Sequence, residues 1–180
     1  MMPSPFQQLL GPDFAILPEP VRRLHGLAAD AMTEGRADIV AATGFWPRLI
    51  CKLSGLPAPG RDVPVTVAFH TDGAGGEFWR RSFAGRRYQS DFCAGSGRRA
   101  GLLCERFFPF VFFHRLTPSV QGLRWDLVAW RLLWLPLPRW LMPPTVCFES
   151  ADGDRFGFDI DVRFPMIGQL VHYRGWLARQ

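Results

Sequence analysis

The feature that most constrains this chain is a strict alternation near its end. Phe156, Phe158, Ile160, Val162 and Phe164 take every second position, with Gly157, Asp159, Asp161 and Arg163 between them. A period of two sends the apolar set to one face of a β-strand and the polar set to the other. If Met166-Ile167 form a two-residue turn, Gln169–Leu177 folds back as the hairpin partner. Val162 then faces Val171, Ile160 faces Tyr173 and Phe156 faces Leu177, while Asp161 faces His172 and Asp159 faces Arg174. The apolar faces coincide and opposite charges meet, as a correct register requires. His172 is therefore expected to pair with Asp161. One strand earlier, Thr145–Ser150 is expected to place Phe148 opposite Phe158 and Val146 opposite Ile160. That register puts Glu149 on the polar face with Asp159.

The same period begins at Val63. Val65, Val67 and Phe69 alternate with Thr66 and Ala68, and further strands are expected over Glu77–Phe83, Arg87–Phe92, Leu102–Phe107, Val111–Leu116 and Val120–Val128. Asp72-Gly73, Ala84-Gly85, Gly95-Ser96-Gly97 and Asp152-Gly153 supply turns between them. Many short strands joined by tight turns predict an antiparallel meander, and a sheet this long curls into a barrel or half-barrel. Before it, Phe6 to Gly35 reads as a helical arm, with a helix over Val21–Met32. A first strand is expected over Asp38–Thr43 and a short helix over Trp46–Leu53, stopped by Gly55. The expected whole is one domain, residues 1–180, mainly β (α+β), with an arm over 1–36 and a lipocalin-like barrel over 37–180. A START-like sheet around a long helix fits less well, because the chain ends on a strand.

Composition narrows the function classes. Hydrophobic residues make up 48% of the chain and charged residues 21%, which excludes disorder. Sixteen Phe and seven Trp exceed what packing alone demands, so a surplus is available to line a cavity or a sticky surface. The net charge of +5 is carried by arginine, with Lys52 the sole lysine, and its pairs are scattered, so no nucleic-acid footprint forms. Cys51, Cys93, Cys104 and Cys147 lack metal-ligand spacing and read as buried free thiols of a reducing compartment. With no secretory signal pattern at Met1–Leu10, the expected location is the cytoplasm. The stretch Trp125–Pro144 is too interrupted by charge and proline to span a membrane and reads as a strand running into a Pro-rich loop.

No catalytic signature is intact. There is no G-x-S-x-G elbow, the four histidines are widely spaced, and no metal or cofactor motif is present. Glu149, Asp159 and Asp161 on one expected face have basic residues opposite both aspartates, which favours a structural role. The candidate site is Trp79, Arg80, Glu105, Arg106 and Tyr173. Adjacent strand residues point to opposite faces, so at most one of Trp79 and Arg80, and one of Glu105 and Arg106, enters the interior. A buried Arg beside a carboxylate suits the acid group of an otherwise apolar ligand.

In order along the chain stand Phe6-x-x-Leu9-Leu10-Gly11, Leu17-Pro18, Arg23-Leu24-His25 and Leu56-Pro57. Trp79-Arg80-x-x-Phe83, Glu105-Arg106, Leu135-Pro136-Leu137-Pro138, Phe158-Asp159, Pro165-x-x-Gly168 and Tyr173-x-Gly175-x-Leu177 follow. In this order they resemble the bacterial family DUF4166, except that Phe107-Phe108-Pro109 stands where the family pattern has a glycine. The resemblance implies no established activity. It implies a domain that can work beside a saccharopine-dehydrogenase-like reductase, to which the family's domain also occurs fused.

Three readings remain open at this point. The first is non-catalytic binding of a hydrophobic or amphipathic small molecule in the barrel, with Arg80 or Arg106 and Glu105 fixing its polar end. The second is an interaction module that docks on a reductase partner or a membrane surface through Trp125–Trp140. The third is an enzyme using Glu105 or Asp159.

Overall fold

The computed structural model describes residues 2–27, 29–53, 56–165 and 168–179. The arm consists of α1 (Pro5–Leu10), a 3-10 segment (Gly11–Ile16) and α2 (Glu19–His25). Ser4 opens α1 through a capping box, its side chain accepting from the Gln7 amide while the Gln7 side chain accepts from the Ser4 amide. α2 carries Glu19 in its first turn and Arg22, Arg23 and His25 in its last, matching the helix dipole.

α2 ends at His25, not Met32, and the first strand, β1 (Ala31–Ala41), starts earlier than expected. The inward positions of β1 are Thr33, Gly35, Ala37 and Ile39, too small to register as a hydrophobic stripe. At Gly35 the absence of a side chain is required, because a Cβ there would collide with the Trp176 carbonyl of the neighbouring strand. The short helix after β1 is present as α3 (Phe45–Leu53), and its expected stop at Gly55 lies outside the described residues.

The remaining strands are β2 (Gly60–Thr71), β3 (Glu77–Phe83), β4 (Arg86–Ala94), β5 (Leu103–Phe107), β6 (Phe110–Ser119) and β7 (Gly122–Leu132). The two-residue β8 (Leu135–Pro136) follows, then β9 (Val146–Asp152), β10 (Arg155–Phe164) and β11 (Gly168–Arg179). Every pairing is antiparallel. β6 pairs with β7 and β11 with β1, so ten strands close into a lipocalin-like barrel, with β8 appended to the edge of β7. Closure leaves no free edge along most of the sheet and creates an interior.

The β10–β11 register is the one expected from alternation: Val162 faces Val171, Ile160 faces Tyr173 and Phe156 faces Leu177. The turn residues Met166 and Ile167 lie outside the described residues. Although Asp161 is the backbone partner of His172, the imidazole Nε2 reaches diagonally to Asp159 at 2.7 Å, and Asp161 is taken by Arg163 and Gln169. The β9–β10 register corrects the expectation. Glu149, not Phe148, stands opposite Phe158, because Asp152 pairs with Arg155 around a tighter loop. Glu149 therefore points into the barrel and is buried.

The arm lies across the end of the barrel where β1 begins. Phe6 and His25, both fully buried, stack with ring centroids 3.8 Å apart beneath Trp79 and Trp125. His25 Nε2 meets Glu149 Oε2 at 2.6 Å, and the Trp125 indole N–H donates to the same oxygen at 3.1 Å. Ser4 ties the arm further by donating to the His25 carbonyl. Removing one partner of a buried polar pair strands the other. His25→Ala is expected to cost about 3–5 kcal/mol in urea denaturation. Adding Glu149→Gln, which still accepts from Trp125, should restore part of that loss; strictly additive losses would contradict the coupling.

Candidate functional site

The barrel encloses a cavity of about 240 Å³. That is slightly below the roughly 300–1,000 Å³ of common small-molecule sites, so it suits a compact ligand. Its floor is formed by the arm, through Leu24, and by the inward residues Phe69, Trp125 and Phe156. Phe107, Phe110, Phe164 and Pro143 stand at the opposite end, the mouth. The alternation of each strand explains the lining, since it presents every second residue to the interior. A shift of register between Phe113 and His114 in the β6–β7 pair lets Leu127 and Trp130, three apart, both face inward.

Across this apolar wall runs one polar line, built from four consecutive strands. Arg81 on β3 donates through Nη1 to Ser90 Oγ on β4 at 3.0 Å. Ser90 in turn donates to Glu105 Oε1 on β5 at 2.7 Å. Glu105 Oε2 meets His114 Nε2 on β6 at 3.1 Å. The Arg81 guanidinium lies over the Trp79 ring at 4.8 Å and the Tyr88 ring at 5.4 Å, which holds it by cation–π attraction. Facing this line, Tyr88 and Tyr173 bring their hydroxyls to 3.4 Å.

The surroundings set the protonation of the acid and of the two phenols. Burial pushes the Glu105 carboxyl up, but the His114 hydrogen bond and charge, the Arg81 charge and the Ser90 hydroxyl outweigh it and hold the group below its ordinary range. Glu105 is thus a carboxylate. Burial pushes both Tyr88 and Tyr173 up, so their phenols stay protonated donors. Cys147, which also lines the cavity, has its thiol pushed well up by burial and by the neighbouring Glu149 charge, and so remains an unreactive thiol.

Of the residues singled out from the sequence, Trp79, Glu105 and Tyr173 line this cavity together. Arg80 and Arg106 do not. Both stand exposed on the outer face, Arg80 donating to Gln89 and lying over Phe78, Arg106 paired in register with Asp91. The reason is the strand period: with Trp79 and Glu105 inward, their immediate neighbours must point out. The same rule carries Arg81, two residues past Trp79, into the interior, and this is the arginine that the pattern could have revealed. Ser90, Tyr88, His114 and Glu149 were also missed. For these the signal is a polar residue at an inward position, which pattern reading takes as an error of register. Among the described residues no group of three His, Cys, Asp or Glu side chains is placed to hold a metal ion.

One acid at the arm end is under strain of burial. Glu77 accepts from the Trp79 indole at 3.0 Å through Oε2, while Oε1 has no partner among the described residues, and burial pushes its carboxyl up despite that hydrogen bond. A raised folded-state pKa means the proton favours the fold. This contribution is fully present below the ordinary value of 4.5 and is lost as pH rises through the folded value. Glu77→Gln should therefore raise Tm at pH 7.5 and lose the advantage near pH 4, with each kcal/mol read as about 2–4 °C. Calorimetry showing a gap independent of pH would contradict this.

Comparison with known proteins adds the family and no more. The family described as "Domain of unknown function (DUF4166)" matches residues 17–177. No curated protein matches, and no solved structure does. The match runs from the second helix of the arm through the last strand of the barrel, and so takes in His25, Glu149 and the whole polar line: the chain belongs to the DUF4166 family.

Proposed function

We propose that the barrel binds a compact amphipathic small molecule with an acidic group. Its apolar part lies among Val67, Phe158, Leu127 and Trp130, and its acid sits on Arg81. The observation that carries this reading is the Arg81 guanidinium inside an apolar chamber. Its hydrogen bond to Ser90 uses one of five N–H donors, and among the described residues it makes no ion pair. A guanidinium beside apolar walls is an anion receptor, because a carboxylate or phosphate can take two parallel N–H donors where water is scarce.

The other members of the line have supporting roles. Glu105, held ionised, keeps Ser90 and through it one edge of the guanidinium in place. Trp79 carries the cation from one side. The Tyr173 and Tyr88 hydroxyls offer a further donor to an acid seated on Arg81. Glu149, at the floor, is held at Oε2 by His25 and Trp125.

Titration with a fluorescent medium-chain carboxylate tests the reading. Arg81→Met is expected to weaken its binding roughly 10- to 100-fold, the worth of a charge-assisted hydrogen bond. Arg80→Met, on the outer face, should leave it unchanged, and an alcohol of the same chain should lose little from either variant. Equal loss for acid and alcohol, or no uptake of either by the native chain, would sink the proposal.

A further inference from the structure

The two ends of the barrel differ in chemistry. Strand directions bring residues 42–53, 56–62, 84–87, 108–109 and 133–145 to the mouth. Those segments carry Arg48, Lys52, Arg61, Arg86, Arg87 and Arg139 against one carboxylate, Asp62, which Arg36 meets at 3.3 Å. The arm and the turns at the other end mix Asp13, Glu19, Asp30, Asp72 and Asp154 with Arg22, Arg23, Arg98 and Arg99. The exposed aromatics concentrate at the mouth as well. Phe108 is 87% exposed, Trp134 80% and Trp140 72%, with Leu133 and Leu135 beside Trp134. Phe108 and Trp134 occupy neighbouring hairpin tips, where the Leu133 amide donates to the Pro109 carbonyl at 2.9 Å and Phe110 pairs with Leu132, and Trp140 follows on the 3-10 turn Arg139–Leu141.

The same segment patches the barrel wall. β9 begins at Val146, opposite Asp126, so the upper part of β7 has no β9 partner beyond that point. Residues 133–145 cross this stretch, held by the Trp130 indole donating to the Pro138 carbonyl and by the Leu137 amide donating to the Trp130 carbonyl. Pro143 and Thr145 face the cavity while Trp134 and Trp140 face outward. Of the four tryptophans in this region, Trp125 and Trp130 are thus core and lining, and the other two are surface.

We infer that the mouth end docks on an anionic lipid bilayer, with Phe108, Trp134 and Trp140 entering the headgroup layer and the basic rim resting on it. Tryptophan rings favour the membrane–water boundary, and apolar side chains ringed by basic ones bind anionic lipid by burial and charge together. A rim in which six basic side chains outnumber one carboxylate complements that surface directly. Hairpin tips carrying exposed apolar rings penetrate a fluid layer, whereas a protein partner would have to be shaped to fit between them. The docking stands on the rim alone; if the cavity also binds an amphipath, the patched wall is the part of the barrel brought against the bilayer.

Flotation with phosphatidylcholine vesicles, with and without phosphatidylglycerol, tests it. The native chain should float with the anionic vesicles, detach as salt is raised, and lose about tenfold or more of its partitioning in Trp134→Ser/Trp140→Ser. Brominated lipids should quench the native fluorescence and spare that variant. Val120→Ser, an exposed apolar site at the arm end, should change nothing. No flotation, equal flotation of the double variant, or a dimer in solution that hides Trp134 would each overturn the docking. Binding of the fluorescent carboxylate by the double variant in solution separates failure here from failure of the cavity reading.

Discussion

The contact between His25 and Glu149 turns a ring of strands into a vessel. A closed barrel alone is a tube open at both ends. Here the arm is drawn across one end by a buried hydrogen bond, and the two rings beside it, Phe6 and Trp125, fill the remaining space. Because Glu149 is buried, its carboxyl must be satisfied, and His25 with Trp125 does that. The floor is therefore defined by polar chemistry and sealed by aromatic packing. The cavity above it inherits its depth from that arrangement.

Above the floor, the interior follows one rule with one deliberate exception. Inward positions are apolar except along the line Arg81, Ser90, Glu105 and His114, at the facing tyrosines and at Thr145 near the mouth. Buried polar groups are tolerated when every member has a partner, and a linked line of them is more rigid than isolated pairs. The line ends on Arg81, which lines the chamber and gives one N–H donor to Ser90. The proposed seating of an acidic ligand rests on that placement, with the mouth end as its route of entry.

How much of this was legible depended on whether a residue obeyed the alternation. The β10–β11 register followed from Phe156 to Phe164 because each inward side chain is apolar and each outward one polar. β1 was partly hidden because Gly35 and Ala37 satisfy close packing without looking hydrophobic. The β9 register failed at Glu149, where an interior carboxylate mimicked an outward position. Arg81 stands outside the Trp79-Arg80 pair that suggests a site, although the period that excludes Arg80 admits Arg81. The departures from pattern and the candidate site are the same residues, as expected where binding asks for polar groups inside a core.

The most direct measurement of this account is a crystal structure of the chain grown with a medium-chain alkanoate. The account places the carboxylate about 2.7–2.9 Å from the Arg81 guanidinium, with the chain running past Phe158 toward Trp130. An alkanoate seated on Arg80 or Arg106 outside the barrel, or a chamber filled by its own side chains with no bound acid, would contradict it.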